Sequence, residues 1–118
     1  MQVFLLRGKI HRATVTDANV DYEGSMTVDQ DLMDQVGLYP FEKVLVSNMA
    51  NGARFETYLI PGRRGAGEII LNGATAHLGK VGDRLTVMAY TVVSEGEAKN
   101  WKPRVIVVDE KNRVIATR

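Results

Sequence analysis

The apolar residues of this chain come in short runs rich in Val, Ile and Thr, each closed by Gly, Pro, Asn or Asp. That pattern leaves no room for a long helix and constrains the chain to an all-β domain of brief strands. Candidate strands are Gln2 to Leu6, Lys9 to Thr16, Lys43 to Met49, Arg54 to Ile60, Glu68 to Leu71, Arg84 to Val92, Arg104 to Val108 and Val114 to Ala116. Asn51-Gly52 lies between two of them and favours the positive backbone angles of a tight hairpin. Three short helical pieces interrupt the strands. Asp29 can cap a turn with Leu32, Met33 and Val36 at helical spacing, and Gly37 stops it. Ala74 to Leu78 forms the second, and Ser94 with Glu97 makes the capping box of the third. Pro61-Gly62 with Gly65 and Gly67, Gly82-Asp83, and Asp109 to Asn112 mark turns.

So many strands with so little helix must hide their edges, and a small barrel or compact sandwich does so. At 118 residues the chain has the size of one domain and can bury roughly two-thirds of its unfolded surface. It has no cysteine, which removes disulfide frameworks, thiolate metal sites and cysteine nucleophiles. The net charge of +1 and the few scattered aromatics argue against a nucleic-acid partner or a membrane surface. The apolar stretch before Arg7 is far short of a signal-peptide core or a membrane span, so the expected location is cytoplasmic.

Most searches for a reactive constellation are negative. Ser25 sits in Tyr22-Glu23-Gly24-Ser25-Met26, without the G-x-S-x-G setting of a hydrolase nucleophile. His11 and His77 lack metal-ligand spacing, so no metal is expected. Gly62, Gly65 and Gly67 lie between strands and are not a dinucleotide fingerprint. Alternation along one strand puts Arg54, Glu56 and Tyr58 on one face and Thr57 on the other. Lys9 begins another strand. Any one of these residues alone reads as ordinary strand surface.

Taken together, four segments in order resemble the pyruvoyl-dependent aspartate 1-decarboxylase family over almost the full chain. They are Gly8-Lys9-Ile10-His11-Arg12-Ala13, Tyr22-Glu23-Gly24-Ser25, Asn51-Gly52-Ala53-Arg54-Phe55-Glu56-Thr57-Tyr58 and Asn72-Gly73-Ala74-Thr75-Ala76-His77. The resemblance implies a small double-psi β-barrel with a few short helices, assembled as a homotetramer. It also implies a single proenzyme domain, 1–118, cut between Gly24 and Ser25 into chains 1–24 and 25–118. Ser25 would attack the Gly24 carbonyl, with Thr57 as donor to the oxyanion. Elimination and hydrolysis would then leave a covalent pyruvoyl group at position 25, with no metal.

The implied reaction converts L-aspartate to β-alanine and CO2 for pantothenate and coenzyme A synthesis. An imine between substrate amine and pyruvoyl ketone would accept the electrons released with CO2. Lys9 and Arg54 would meet the two carboxylates, neither assigned to a particular one. Tyr58 would donate the proton. Thr57, Asn72, Gly73, Ala74 and Thr75 would complete the substrate site.

The chain departs from the family pattern in a few places. Position 75 is Thr where Ala is expected, and a β-branched side chain there is expected to narrow the pocket unless the backbone makes the contact. Ser47 replaces an aromatic residue found in some relatives, and Met26 falls where the family varies. His11 and His77 read as structural residues, Trp101 and Pro103 as packing elements. The alternative is a non-catalytic β-barrel that binds a ligand or partner, with Gly24-Ser25 a simple turn.

Overall fold

The computed structural model describes residues 1–118. Nine strands form one sheet: β1 (Gln2–Thr14), β2 (Asp17–Asn19), β3 (Ser25–Asp29), β4 (Lys43–Asn48), β5 (Arg54–Gly62), β6 (Ile69–Asn72), β7 (Arg84–Ser94), β8 (Arg104–Val108) and β9 (Val114–Thr117). Helices α1 (Gln30–Val36) and α2 (Glu95–Ala98) and a 3-10 turn, Gly73–His77, fill the connections. The strand order is β2-β6-β3-β5-β4-β7-β1-β8-β9.

The sheet curls into a barrel because its two distant members, β2 and β1, are nearly one run of chain. β1 pairs with β7 and β8, and a short step later β2 pairs in parallel with β6. Thr16 secures the closure, its N–H donating to the Ile69 carbonyl at 2.8 Å and its Oγ1 accepting from the Ile69 N–H at 3.0 Å. The expected mainly β small barrel is therefore what forms. No helix is long and apolar enough to cross a membrane.

Alternation sorts the side chains. Cross-strand partners Ile10, Val87, Val46 and Phe55 point inward with Met26, Leu59, Leu71 and Ile106. The next row, Lys9, Met88, Leu45 and Glu56, points outward. Two strands expected separately, Gln2 to Leu6 and Lys9 to Thr16, are one strand with irregularities between Leu6 and Gly8 and between Ile10 and Ala13. At the second, Arg12 has φ +68°.

The local helix signals hold. Asp29 Oδ1 accepts from the Asp31 N–H at 2.8 Å, Leu32, Met33 and Val36 are buried, and Gly37 closes α1 at φ +72°. Ser94 and Glu97 form the capping box of α2. The hairpin between β4 and β5 also forms, with Gly52 at φ +75°. Its loop is wider than a two-residue turn, because Asn48 donates to the Ala53 carbonyl at 2.8 Å and residues 49–52 lie outside that bond.

Two expectations are corrected. The second helical piece is a 3-10 turn starting at Gly73, one residue before Ala74. Strands β2 and β3 lie where none was expected. β3 is short, and Gly24 before it and Asp29 after it read as turn residues, which hid the alternation of Met26 and Val28.

Buried polar side chains fasten the loops. Asn48 Nδ2 donates to the Leu78 carbonyl at 3.0 Å and to Asp83 Oδ2 at 2.9 Å, which also accepts from the Lys80 N–H at 3.0 Å. This knot ties the β4–β5 hairpin to the segment after the 3-10 turn. The Asn48 side chain and the Lys80 amide hold the Asp83 carboxyl below its ordinary range. A depressed carboxylate pKa stabilises the fold above the unfolded value of 3.8, and that contribution disappears as pH falls through the lower native value. Asp83→Ala is therefore expected to destabilise the fold by about 1–3 kcal/mol at neutral pH, since it removes the acceptor shared by the buried Asn48 amide and the Lys80 N–H. Denaturant melts at neutral and acid pH check this: the gap between variant and wild type closes on acidification.

Candidate active site

Ser25 opens β3 and is fully buried. β3 runs antiparallel to β6, pairing Ser25 with Asn72, and parallel to β5, pairing Met26 with Leu59. Met26 faces the core, so Ser25 faces outward. It is nevertheless sealed from solvent, with Asn72 and Thr75 against it.

The 3-10 turn after β6 touches Ser25 and its neighbour at three places. Asn72 Nδ2 donates to Ser25 Oγ at 3.0 Å and to Thr27 Oγ1 at 3.1 Å. Gly73, at φ +66°, lies so close to Gly24 that a Cβ would stand 2.8 Å from its N and Cα and 2.8 Å from the Tyr22 carbonyl oxygen. Thr75 Oγ1 donates to the Asn72 carbonyl at 2.8 Å and reaches the Ser25 carbonyl oxygen at 3.4 Å. Ser25 Oγ itself has only the Glu23 carbonyl as acceptor, at 3.4 Å. A buried hydroxyl with one firm donor and one long acceptor is held in place but not fully satisfied. The Thr75 hydroxyl turns toward these two carbonyls.

Gly24, Ser25, Asn72, Gly73 and Thr75 thus lie together, with Ala74 exposed on the turn. Tyr58 and Thr57 lie on β5 just ahead of Leu59. Continuing the parallel register backward from Met26 and Leu59 puts Tyr58 level with Ser25, on the same face, and Thr57 level with Gly24. Neither is hydrogen-bonded to Ser25. Phe41, at φ +67°, donates its N–H to the Leu59 carbonyl at 2.7 Å and sets its ring 6.4 Å from that of Tyr58. Sequence reading missed this flank, because nothing in the composition of the segment signals a left-handed Phe.

The two cations are not gathered within one chain. Arg54 is exposed at the far end of β5, opposite Ser47. Lys9 lies outward on β1, separated from β5 by β4 and β7. Three strand spacings amount to roughly 14 Å, and outward side chains on a curved sheet diverge further. Glu56, between Arg54 and Tyr58 on their face, pairs with Lys43 at 2.5 Å in an exposed bridge of little energetic weight.

Burial, then Lys9, Arg12, Arg118 and Arg84, push the His11 imidazole below its ordinary pKa. Its Nδ1 is buried without a partner. His77 is exposed on the 3-10 turn. Trp101 packs as expected, its Nε1 donating to the Leu6 carbonyl at 2.7 Å. No group of three His, Asp or Glu side chains is placed to hold a metal ion.

Comparison with known proteins agrees with this geometry. Residues 1–115 match the family model for aspartate decarboxylase. The chain is 53% identical over 115 residues to an aspartate 1-decarboxylase of Carboxydothermus hydrogenoformans, covering 98% of this chain and 91% of that one. It is 52% identical over 115 residues to that of Thermoanaerobacter pseudethanolicus, covering 98% of each chain. With the Leptospira biflexa aspartate 1-decarboxylase the identity is 55% over 114 residues, covering 96% and 97%. A family match over nearly the whole chain, with Ser25 buried under the Asn72-Gly73 turn, places this protein in the aspartate decarboxylase family.

Proposed function

We propose that the chain is a proenzyme that cuts itself between Gly24 and Ser25 and then decarboxylates L-aspartate to β-alanine for pantothenate biosynthesis. The observation that carries this reading is the buried Ser25 Oγ, held by Asn72 Nδ2 while the Gly24 backbone rests on Gly73. In the first step Ser25 Oγ bonds to the Gly24 carbonyl carbon and the amide C–N bond breaks, leaving an ester and a free amine on Ser25. Extending the β3–β5 register back from Met26 and Leu59 supports Thr57 as the donor to the oxyanion on the Gly24 carbonyl. Loss of the Ser25 Cα proton expels residues 1–24 as a carboxylate, and water then replaces the amine, releasing ammonia.

The residues present suit a pyruvoyl group at position 25. The position is buried, it begins a strand, and its neighbour in the turn is a glycine that leaves space for the backbone alone. Such a ketone supplies an electron sink for the pair released with CO2.

The remaining tasks fall to side chains. Arg54 and Lys9 bind the substrate carboxylates. The Tyr58 phenol, on the face of Ser25 and flanked by Phe41, delivers a proton to the former α-carbon. Asn72 and the backbone N–H groups of Gly73, Ala74 and Thr75 hold the substrate beside residue 25.

The spread of Lys9 and Arg54 across the outer face of one chain favours assembly. Phe4, Tyr39 and Phe41 are also exposed large aromatics on the barrel, as an oligomer surface would require. We infer a homotetramer in which protomers complete each other's sites, located in the cytoplasm. Light scattering on purified protein tests it: the expected mass is four times 13.1 kDa, and a monomer that decarboxylates aspartate would refute it.

Mass spectrometry tests maturation. Wild type should yield two fragments meeting after Gly24, the larger without a free amino terminus. Ser25→Ala should stay whole and inactive, and its cleavage at the same bond would rule out the nucleophile. Thr57→Val should slow or stop the cut. Gly73→Ala should do likewise, because its Cβ collides with Gly24. Tyr58→Phe should mature normally yet lose at least about 100-fold in kcat, measured as CO2 release from the matured fraction.

A further inference from the structure

The 3-10 turn carries a hydroxyl at Thr75, and the fold gives that hydroxyl an acceptor on β3. Thr75 is 7% exposed. Its nearer bond, to the Asn72 carbonyl at 2.8 Å, is the ordinary back-bond of a threonine to the residue three positions earlier. Its longer contact, 3.4 Å, ends on the carbonyl oxygen of Ser25, and no other side chain donates to that oxygen.

The maturation chemistry makes that atom special. Once the ester has formed, the Ser25 Cα proton must leave. Its electron pair is delocalised onto the Ser25 carbonyl oxygen as an enolate. The pair then forms the Cα–Cβ double bond, the Cβ–Oγ bond breaks, Gly24 departs as a carboxylate and the proton goes to water. A proton beside an amide carbonyl is a weak acid, so the step depends on how well negative charge on that oxygen is stabilised. A donor that is long and shared at rest tightens as its acceptor gains charge.

We propose that the Thr75 hydroxyl is the donor to the Ser25 carbonyl oxygen during ester elimination, and so governs the second step of maturation and not the first. The inference rests on the self-cleavage reading above. It divides the labour by atom: Asn72 serves Ser25 Oγ, Thr57 the Gly24 carbonyl and Thr75 the Ser25 carbonyl. Thr75 thereby acts on the reacting residue itself.

The two steps are separable. The ester has the mass of the proenzyme but is split by hydroxylamine, whereas the finished large fragment is lighter by one ammonia than a chain beginning with serine. Freshly purified full-length wild type, Thr75→Ser, Thr75→Val and Thr75→Ala are incubated and sampled over time, with and without hydroxylamine, by intact mass. Wild type and the serine variant should mature without ester accumulating. The valine and alanine variants should form ester at the wild-type rate and then stall, with elimination slowed roughly 10- to 100-fold, somewhat less than loss of a dedicated oxyanion donor.

Maturation of both variants at the wild-type rate would overturn the proposal. So would slow ester formation without accumulation, because the hydroxyl would then only shape the turn. The alanine variant guards against valine failing to pack, and a thermal melt of each confirms that it is folded. A wild-type chain that never forms ester or fragments would bring down the self-cleavage reading itself, a result distinct from either of these.

Discussion

The contact between Gly73 and Gly24 sets the geometry on which the rest of the site depends. Two backbone segments meet there with no side chain between them, and any Cβ at position 73 would occupy the space of the Gly24 nitrogen. That close approach lowers the turn onto the start of β3. It brings the Asn72 amide to Ser25 Oγ and the Thr75 hydroxyl to the Ser25 carbonyl side. Burying a serine is unfavourable unless its hydroxyl is bonded. Here the burial is compensated by a donor that fixes the oxygen while leaving its proton only a distant acceptor.

The barrel supports this arrangement from both sides. β3 lies between β5 and β6 in the sheet, so Ser25 is positioned by two ladders at once. Asn48 and Asp83 tie the hairpin that leads into β5 to the segment that follows the turn. Asn112 does similar work at the opposite side, donating to the carbonyls of Thr14 and Gly67 while accepting from the Thr14 N–H. The parts that face the reacting bond are thus carried on strands and short pinned turns, where small displacements are resisted.

What could be read in the sequence was what is local. The cap at Asp29, the stop at Gly37 and the box at Ser94 and Glu97 are each decided within a few residues, and each formed. β3 was hidden because its pairing partners, Leu59 and Asn72, lie far along the chain and its own residues read as a turn. The positive φ of Phe41 and Arg12 and the knot of Asn48 with Asp83 were invisible for the same reason: long-range contacts impose them. The site residues were legible only through family resemblance, since nothing in the spacing of Ser25, Tyr58 and Asn72 says that β5 and β6 will flank β3. The resemblance could not say that Lys9 stands several strands away.

β1 belongs to the segment that precedes the proposed cut, yet it pairs with both β7 and β8, and β2 beyond it pairs with β6. Severing the chain after residue 24 would therefore free no piece. The small fragment would remain a stave in the wall, kept there by backbone bonds and by Ile10, Ala13 and Val15 in the core. A cut molecule of this design is a two-component assembly, and reforming it after denaturation is a second-order event that slows with dilution. Only an uncut chain has a tethered first strand, so under the proposed self-cleavage the fold would have to be complete before the chemistry begins.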